Sequence, residues 1–204
     1  MTTSRGLRER KKHATRTALR AAALRLALDR GFDRLRVDDI AEAADVSPRT
    51  FNNYYASREQ AVVAAVVAQR EARIAETMRT RPAGTALSVV IGEAVVAEYT
   101  ERGDADRDVM LMITNNPALR AAYAKASGTV EGPLRDAIAQ RRPDADPMTV
   151  RVLAACVATA VRIGLENWLS SAVDGLMVPT GGLSRSLRDA LAPLSPAIDA
   201  PEVA

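Results

Sequence analysis

The chain has 204 residues, of which 48% are apolar, enough for one large domain or two small ones. Its single cysteine, Cys156, excludes an internal disulfide and a cysteine-based zinc site, and it suits a reducing compartment. The net charge of +3 hides an asymmetry, because residues 1–36 carry eleven Arg or Lys and three acids, whereas the rest carries seventeen bases and twenty-two acids. A basic first part indicates contact with a polyanion, although a solvated basic tail fits the charge alone about as well.

Apolar residues recur at spacings of three and four along the chain, which predicts an all-α fold of about nine helices. The predicted helices cover about 9–30, 37–44, 48–55, 57–79, 85–101, 105–115, 117–141, 148–172 and 182–194. Gly132-Pro133 predicts a break inside the seventh of these. Residues 1–7 and the tail after Pro193 are expected to be loose.

The stretch from residue 37 to residue 55 has the layout of a helix-turn-helix. Ile40, Ala41 and Phe51 are apolar at the positions that must pack the two helices together. Asp45 lies in the turn, where a left-handed backbone is expected, and aspartate tolerates that conformation better than most residues. Ser47 is a good N-cap for the second helix of the pair.

Residues 31–62, GFDRLRVDDIAEAADVSPRTFNNYYASREQAV, resemble the DNA-binding domain of the TetR family of bacterial transcriptional repressors. The family pattern is matched at Gly31-Phe32, Val37, Ile40-Ala41, Val46-Ser47, Thr50-Phe51, Tyr54, Ser57 and Glu59. The departures are Arg36 for the threonine that usually caps the second helix, Asp45 for Gly, Asn52 for Tyr, Tyr55 for Phe and Arg58 for Lys. The resemblance implies a helix-turn-helix domain with a basic N-terminal arm over 1–56, and a helical effector-binding and dimerisation domain over 57–204.

The predicted DNA contacts come from the helix-turn-helix and the residue that opens the fourth helix. They are Arg36, Val37, Ser47, Pro48, Arg49, Thr50, Asn52, Asn53, Tyr54 and Arg58. A recognition helix presents its N-terminal residues to base edges in the major groove. Arg49 has the donors for guanine, and Asn52 or Asn53 has the donor and acceptor for adenine.

A second group of residues is predicted to hold the DNA backbone. Thr50, Tyr54 and Arg58 are better placed for phosphates than for bases, which the resemblance also implies. Five basic residues before the first helix have two interpretations, as an arm that reaches phosphates or the minor groove, or as a solvated tail. They are Arg5, Arg8, Arg10, Lys11 and Lys12.

The C-terminal helices predict a dimer. The segment 150–169 is apolar nearly all round, so one of its faces is expected to pack in its own core and another against a partner subunit. A leucine ridge on the last helix supports a two-fold four-helix interface, with intramolecular packing as the alternative. The predicted interface residues are Leu153, Val157, Leu183, Leu187, Leu191 and Leu194.

The resemblance also implies an effector pocket inside the helical bundle. The candidate lining residues are Ile91, Glu98, Met110, Ile113, Tyr123, Cys156, Arg162, Glu166, Asn167 and Trp168. Each has a core or interface position as its alternative, and Arg162 and Glu166 lie four apart, where they can pair with each other. Because aromatic residues are few, an aliphatic or mixed ligand is favoured over a flat multi-ring cation.

These features predict a dimeric repressor that binds palindromic double-stranded DNA and is released by a small-molecule effector. The alternative is a regulator without such an effector, controlled by a partner protein. An enzyme is disfavoured because the sequence offers no Cys–His pair, no metal-ligand cluster and no Gly-rich phosphate loop. We predict no catalytic residue, metal or cofactor. With no export signal and no uncharged apolar run of membrane length, a cytoplasmic protein without a membrane partner is expected.

Overall fold

In a computed structural model, residues 2–100, 104–126, 132–173 and 180–200 are described, and within these ranges the structure is α-helical without a β-strand. The helices are α1 Thr2–Arg30, α2 Val37–Ala43, α3 Pro48–Asn52, α4 Arg58–Thr80, α5 Leu87–Thr100, α6 Asp104–Asn115, α7 Pro117–Lys125, α8 Gly132–Arg141, α9 Pro147–Val173, α10 Thr180–Leu191 and α11 Ser195–Asp199. Short 3-10 turns lie at Phe32–Arg34 and Ala192–Leu194. The predicted all-α class is confirmed, and the segment predicted as 117–141 is two helices, as its Gly-Pro pair indicated.

Both ends of the chain are more ordered than the sequence predicted. Helix α1 begins at Thr2 rather than near residue 9. At the other end, Ile198 in α11 is 3% exposed. The Asp199 carboxylate accepts a hydrogen bond from the Ser88 backbone N–H at 2.9 Å. The expected loose ends are therefore wrong for residues 2–7 and 195–199.

The chain forms two compact units, and their boundaries differ from the domain boundary expected after residue 56. The first unit contains Met1–Val67 and Asp108–Ala126, and the second contains Ala68–Arg107 and Ser127–Ala204. One division lies inside α4, between Val67 and Ala68, whereas residue 56 lies in the connection between α3 and α4. Within the first unit, the Asn116 amide donates a hydrogen bond to the Asp33 carboxylate at 3.4 Å, which joins the α6–α7 corner to the 3-10 turn.

The first unit is built around the packing of α1 on α2 and of α2 on α3. Leu19, Ile40 and Phe51 are fully buried in it. The Phe51 and Tyr55 rings lie 5.9 Å apart, and the Tyr55 hydroxyl donates to the Arg16 carbonyl at 3.3 Å. These contacts fix the end of α3 against the middle of α1, with Phe51 and Tyr55 facing inward.

The second unit is built on α9, which packs against α8 and α10. Helices α9 and α10 approach closely at Gly164, where an added Cβ would lie 3.1 Å from the Ser186 carbonyl oxygen. The segment Pro147–Trp168 is long and apolar enough to cross a membrane by length and composition, with a mean hydropathy of 1.6 and 39% of that window buried. Core helices of soluble proteins meet the same criterion, and α9 occupies such a position in its unit.

Candidate nucleic-acid interface

The turn between α2 and α3 has the backbone that its sequence predicted. Asp45 has a φ of 54°, which confirms the left-handed residue in the turn. Arg36 occupies the N-cap of α2, where its side chain has no acceptor atom, but the Asp39 carboxylate accepts from the Arg36 backbone N–H at 3.1 Å. Ser47 caps α3 as predicted, because its hydroxyl accepts from the Thr50 N–H at 3.1 Å.

Helix α3 presents a short polar surface. It covers Pro48–Asn52, fewer residues than the predicted 48–55. Phe51 points into the core, whereas Arg49, Asn52 and Asn53 are exposed. The predicted base-reading side chains are therefore accessible on a helix whose opposite face is anchored.

The other predicted DNA contacts surround this surface in the first unit. Among them, Arg36, Ser47 and Pro48 are exposed, and Val37, Thr50 and Tyr54 are half-buried. The Thr50 and Ser47 hydroxyls lie 3.0 Å apart, within hydrogen-bonding distance. These side chains share one region of the helix-turn-helix, as the sequence predicted.

A cleft of about 560 Å³ separates the N-terminal turns of α1 from the end of α3. Its lining residues are Arg8, Glu9, Lys11, Lys12, Thr15, Thr50, Asn53 and Tyr54. From the sequence, the first basic residues were interpreted as an arm, whereas in the structure Arg8, Lys11 and Lys12 lie on α1 and line this cleft. The signal was present, since Arg8, Lys11, Lys12 and Thr15 follow the i, i+3, i+4, i+7 spacing of one helix face. The Arg5 side chain is not among those that the structure describes.

Arg58 has contacts that differ from those predicted for a phosphate-binding residue. Its guanidinium donates to the carbonyls of Phe32 and Asp33, each at 3.3 Å, and to the Leu35 carbonyl. It also lies 4.6 Å from the centroid of the Phe32 ring and pairs with Glu59 at 3.1 Å. These contacts hold the start of α4 on the 3-10 turn, and the phosphate contact of Arg58 stays a prediction.

The predicted effector residues are divided between the two units. Met110, Ile113 and Tyr123 belong to the first unit, and Ile91, Glu98, Cys156, Arg162, Glu166, Asn167 and Trp168 belong to the second. Ile91, Glu98, Ile113 and Tyr123 are buried, Met110, Cys156, Arg162, Glu166 and Trp168 are half-buried, and Asn167 is exposed. Arg162 and Glu166 pair at 2.8 Å, the alternative that their spacing offered.

Glu98 is the centre of a charged cluster in the second unit. Its side chain is 2% exposed, and its carboxylate accepts hydrogen bonds from Arg73 at 2.8 and 3.2 Å. Arg73 also pairs with Asp106 at 3.3 Å, so one guanidinium joins α4, α5 and α6. Burial lowers the pKa of Arg73 from its ordinary value, and the charge of Asp106 opposes this shift. Glu98 is thus engaged in a buried ion pair, and its predicted effector contact stays a prediction.

The predicted dimer residues are largely buried within one chain. Leu153, Val157, Leu187 and Leu191 have exposures between 0% and 8%, and Leu183 and Leu194 are half-buried. The four buried leucine and valine side chains contribute to the core of this chain, and the interface role of the six residues stays a prediction. The large apolar side chains left exposed on α9 are instead Met148, Val152 and Ile163, at 63%, 50% and 50%.

The fold and this surface define an all-α protein with a helix-turn-helix and an accessible polar recognition helix. A family model described as bacterial regulatory proteins, tetR family, matches residues 19–65, and one described as the MftR C-terminal domain matches residues 88–196, more than half of the chain. The chain belongs to the TetR family of bacterial transcriptional regulators.

One curated relative agrees with this assignment. The HTH-type transcriptional regulator TcmR of Streptomyces glaucescens is 35% identical over 145 residues, which cover 67% of this chain and 64% of TcmR. The chain thus matches less than two thirds of the length of that relative. Among solved structures, Thermus thermophilus FadR, a TetR-family repressor in complex with lauroyl-CoA, covers 92% of this chain and 97% of its own at 22% identity and a TM-score of 0.46. The match to Salmonella enterica GusR covers 89% of this chain and 95% of GusR, at 24% identity and a TM-score of 0.38.

Proposed function

We propose that the protein is a repressor that binds a palindromic operator as a homodimer and is released by a small-molecule effector. The observation that carries the DNA-binding part is the exposed row Arg49, Asn52 and Asn53 on a helix anchored by Phe51. Arginine pairs well with guanine and asparagine with adenine, each through two hydrogen bonds. A two-fold dimer would present two such helices to successive major grooves, which requires a palindrome.

The dimer is supported by the outer face of α9. Met148, Val152 and Ile163 are exposed apolar side chains on one long helix of the second unit. Their positions follow a helical stripe of i, i+4 and i+15, so they lie near one side of α9. Burying this stripe against the same stripe of a second subunit gives a self-complementary contact of the kind that a two-fold axis requires.

Release by an effector is supported by helix α4, which runs through both units. Helix α4 begins with Arg58 in the first unit and carries Arg73 in the second, where Arg73 bonds Glu98 of α5. A ligand that displaced α4 would therefore move Arg58, whose guanidinium holds the 3-10 turn next to the helix-turn-helix. We place this regulator in the cytoplasm, with no catalytic role and no membrane partner. In the part of the chain that the structure describes, no group of three His, Cys, Asp or Glu residues is arranged for a metal ion.

The DNA-binding proposal is tested by selecting bound duplexes from a random pool at moderate salt. We expect a palindrome whose half-sites are about 10 base pairs apart centre to centre, as one turn of DNA requires. The variant Arg49→Ala/Asn52→Ala is the control and should recover no shared sequence. A wild-type pool with no enriched palindrome would overturn the proposal.

The effector part needs a separate experiment. The protein is incubated with a metabolite extract, and the bound mass is measured after the protein is recovered by gel filtration. A bound compound that lowers operator affinity in a titration supports the effector. No bound compound, together with capture of a protein that changes operator affinity, supports control by a partner protein instead.

A further inference from the structure

The connection between α4 and α5, in the second unit, is held in one form by the last residue of α8. The Arg141 guanidinium donates hydrogen bonds to four backbone carbonyls of this region, at distances of 2.7–3.2 Å. The acceptors are the carbonyls of Met78, Arg81, Pro82 and Thr85. Together with the first turn of α5, this connection forms one side of a groove, and the contacts that hold it do not involve α11.

Helix α11 packs in this groove through three kinds of contact. The Ile198 side chain is 3% exposed. The Asp199 carboxylate accepts hydrogen bonds from the Ser88 backbone N–H at 2.9 Å and from the Ser88 hydroxyl. The Arg142 guanidinium donates to the carbonyls of Ile198 and Ala200 at 3.3 and 3.0 Å. The groove thus binds an apolar side chain, a carboxylate and two main-chain carbonyls of three successive residues.

The carboxylate binds where α5 has a need for negative charge. The first turn of α5 contains no acidic residue. The unpaired N–H groups and the positive end of the helix dipole at an N-terminus favour a negative group. Asp199 supplies that group from a position 111 residues away from Ser88 along the chain. An aspartate is therefore the side chain that this end of the groove accepts best.

Helix α11 does not fill the groove. A cavity of about 260 Å³ lies beside it, and Ile198, Asp199 and Ala200 form one part of the cavity lining. The other part is formed by the α4–α5 connection, the start of α5 and the end of α8, and it includes Leu87 and Arg142. A segment with larger side chains than those of α11 has room to occupy the same place.

We propose that this groove is a docking site for a peptide segment of a partner protein in which an aliphatic residue is followed directly by aspartate, and that α11 occupies it as an intramolecular competitor. All the groups that the groove binds in α11 lie within residues 198–200, so a short segment of another chain can present the same set. The 3-10 turn Ala192–Leu194 separates α11 from α10, so α11 can leave the groove while α10 keeps its place. This inference concerns protein binding and does not rest on the proposed operator binding.

The competition has a direct consequence for measurement. A segment joined to its site by a short connection competes at an effective concentration in the millimolar range. The wild-type protein should therefore bind a free peptide weakly, and a protein whose own α11 is weakened should bind the same peptide more tightly. The difference between the two proteins reports occupation of this groove rather than adhesion of the peptide elsewhere.

The test uses the full-length chain and a fluorescent peptide with the sequence of residues 195–204, SPAIDAPEVA. Anisotropy titrations compare the wild type with Ile198→Ala/Asp199→Asn, a variant in which only α11 is changed. We expect the variant to bind the peptide at least about ten times more tightly, because its own segment has lost the apolar side chain and the carboxylate. A peptide with Ile198→Leu should bind about as tightly as the original, since the aliphatic volume is conserved.

Two further changes assign the binding to the groove. In the Ile198→Ala/Asp199→Asn background, Arg142→Gln removes the donor to the main-chain carbonyls and should weaken the peptide at least about tenfold. Arg135→Gln is the matched control, because Arg135 lies on the same helix, pairs with Asp136 at 3.1 Å and is not among the lining residues. A peptide with Asp199→Asn should lose affinity to a similar extent as Arg142→Gln causes.

The proposal is overturned by a peptide that shows no saturable binding to the Ile198→Ala/Asp199→Asn variant, with folding verified by circular dichroism and gel filtration. Equal affinities for the wild type and the variant, or equal effects of Arg142→Gln and Arg135→Gln, would also overturn it. If the double variant is unfolded, Asp199→Asn alone keeps the buried Ile198 and should still bind the peptide more tightly than the wild type does. None of these measurements includes DNA, so their failure leaves the proposed function intact.

Discussion

The two units differ in where their polar residues lie. In the first unit, Arg49, Asn52 and Lys11 are exposed around the recognition helix. In the second, Arg70, Glu71 and Glu98 are 4%, 8% and 4% exposed. Exposed polar groups are available to a partner and contribute little to stability, whereas buried charges must be satisfied inside the protein. Substitutions in the first unit are therefore expected to change DNA binding, and substitutions in the second to change folding.

The largest effect is expected at the buried ion pair. Arg73→Met removes the guanidinium that Glu98 contacts at 2.8 Å, and removing one partner of a buried pair costs about 3–5 kcal/mol. Because the Arg73 side chain is 36% exposed, we expect the lower end of that range. Urea denaturation at fixed protein concentration measures the change. The control is Arg79→Met, whose partner Glu76 is 66% exposed, and its cost should be about 0.2–1 kcal/mol. Equal costs would break the distinction between buried and exposed charges on which the comparison rests.

Arg58 sharpens the comparison because it lies in the first unit, yet its charge is satisfied by contacts inside the protein, as the buried charges of the second unit are. Arg58→Gln removes hydrogen bonds from a charged guanidinium to backbone carbonyls. A hydrogen bond that involves a charged group contributes about 1.5–3 kcal/mol to stability. We expect lower stability of the helix-turn-helix and an unchanged salt slope of DNA binding at temperatures where the variant is folded. Arg36→Gln, an exposed cation at the start of α2, should change stability by no more than about 0.5 kcal/mol. A shallower salt slope for Arg58→Gln would restore the phosphate contact predicted from the sequence.

The two adjacent asparagines separate base reading from backbone binding. Asn52→Ala should cost about 1–3 kcal/mol of discrimination at one base pair in each half-site. Asn53→Ala should weaken operator and scrambled DNA by the same factor, because Asn53 lines the cleft whose other wall carries Arg8, Lys11 and Lys12. Binding to operators changed one base pair at a time measures both. If Asn53→Ala alone relaxes specificity, the roles are reversed.

The smallest effect is expected at two helical glycines and has opposite signs. At Gly164, a new methyl group would lie 3.1 Å from the Ser186 carbonyl oxygen, so Gly164→Ala should destabilise by about 1 kcal/mol through overpacking of α9 on α10. Gly92 in α5 has no atom within 4 Å of an added Cβ, and Gly92→Ala should stabilise by about 0.5–1 kcal/mol through helix propensity. Thermal unfolding of both variants measures the difference. A stabilising Gly164→Ala would mean that α9 and α10 can move apart freely.

The same contrast explains how much could be predicted from the sequence. The helix-turn-helix is local, since its caps, its Asp45 turn and its anchor Phe51 lie within a few residues of one another. The Arg58 contacts join residues 23–26 apart, and the Arg73–Glu98 pair joins residues 25 apart. Spacing along a helix does not indicate such pairs, so neither set of contacts was predicted from the sequence.

The dimer prediction was limited by a different physical cause. A leucine ridge is equally suited to the core of its own subunit and to a partner, and Leu187 at 0% exposure belongs to the core. Only the packed structure identifies the apolar side chains that stay exposed, such as Met148 on α9, at 63%.

The central claim is that the exposed face of α3 reads DNA sequence. The most direct measurement is the ratio of wild-type affinities for the selected operator and a scrambled duplex of the same length, at one physiological salt concentration. Specific DNA-binding proteins bind their sites about 10³–10⁷ times more tightly than other DNA. We predict a ratio in that range for the wild type and a fall toward one for Arg49→Ala/Asn52→Ala. A wild-type ratio near one, with both duplexes bound, would show that the basic surface binds DNA without reading it and would contradict this account.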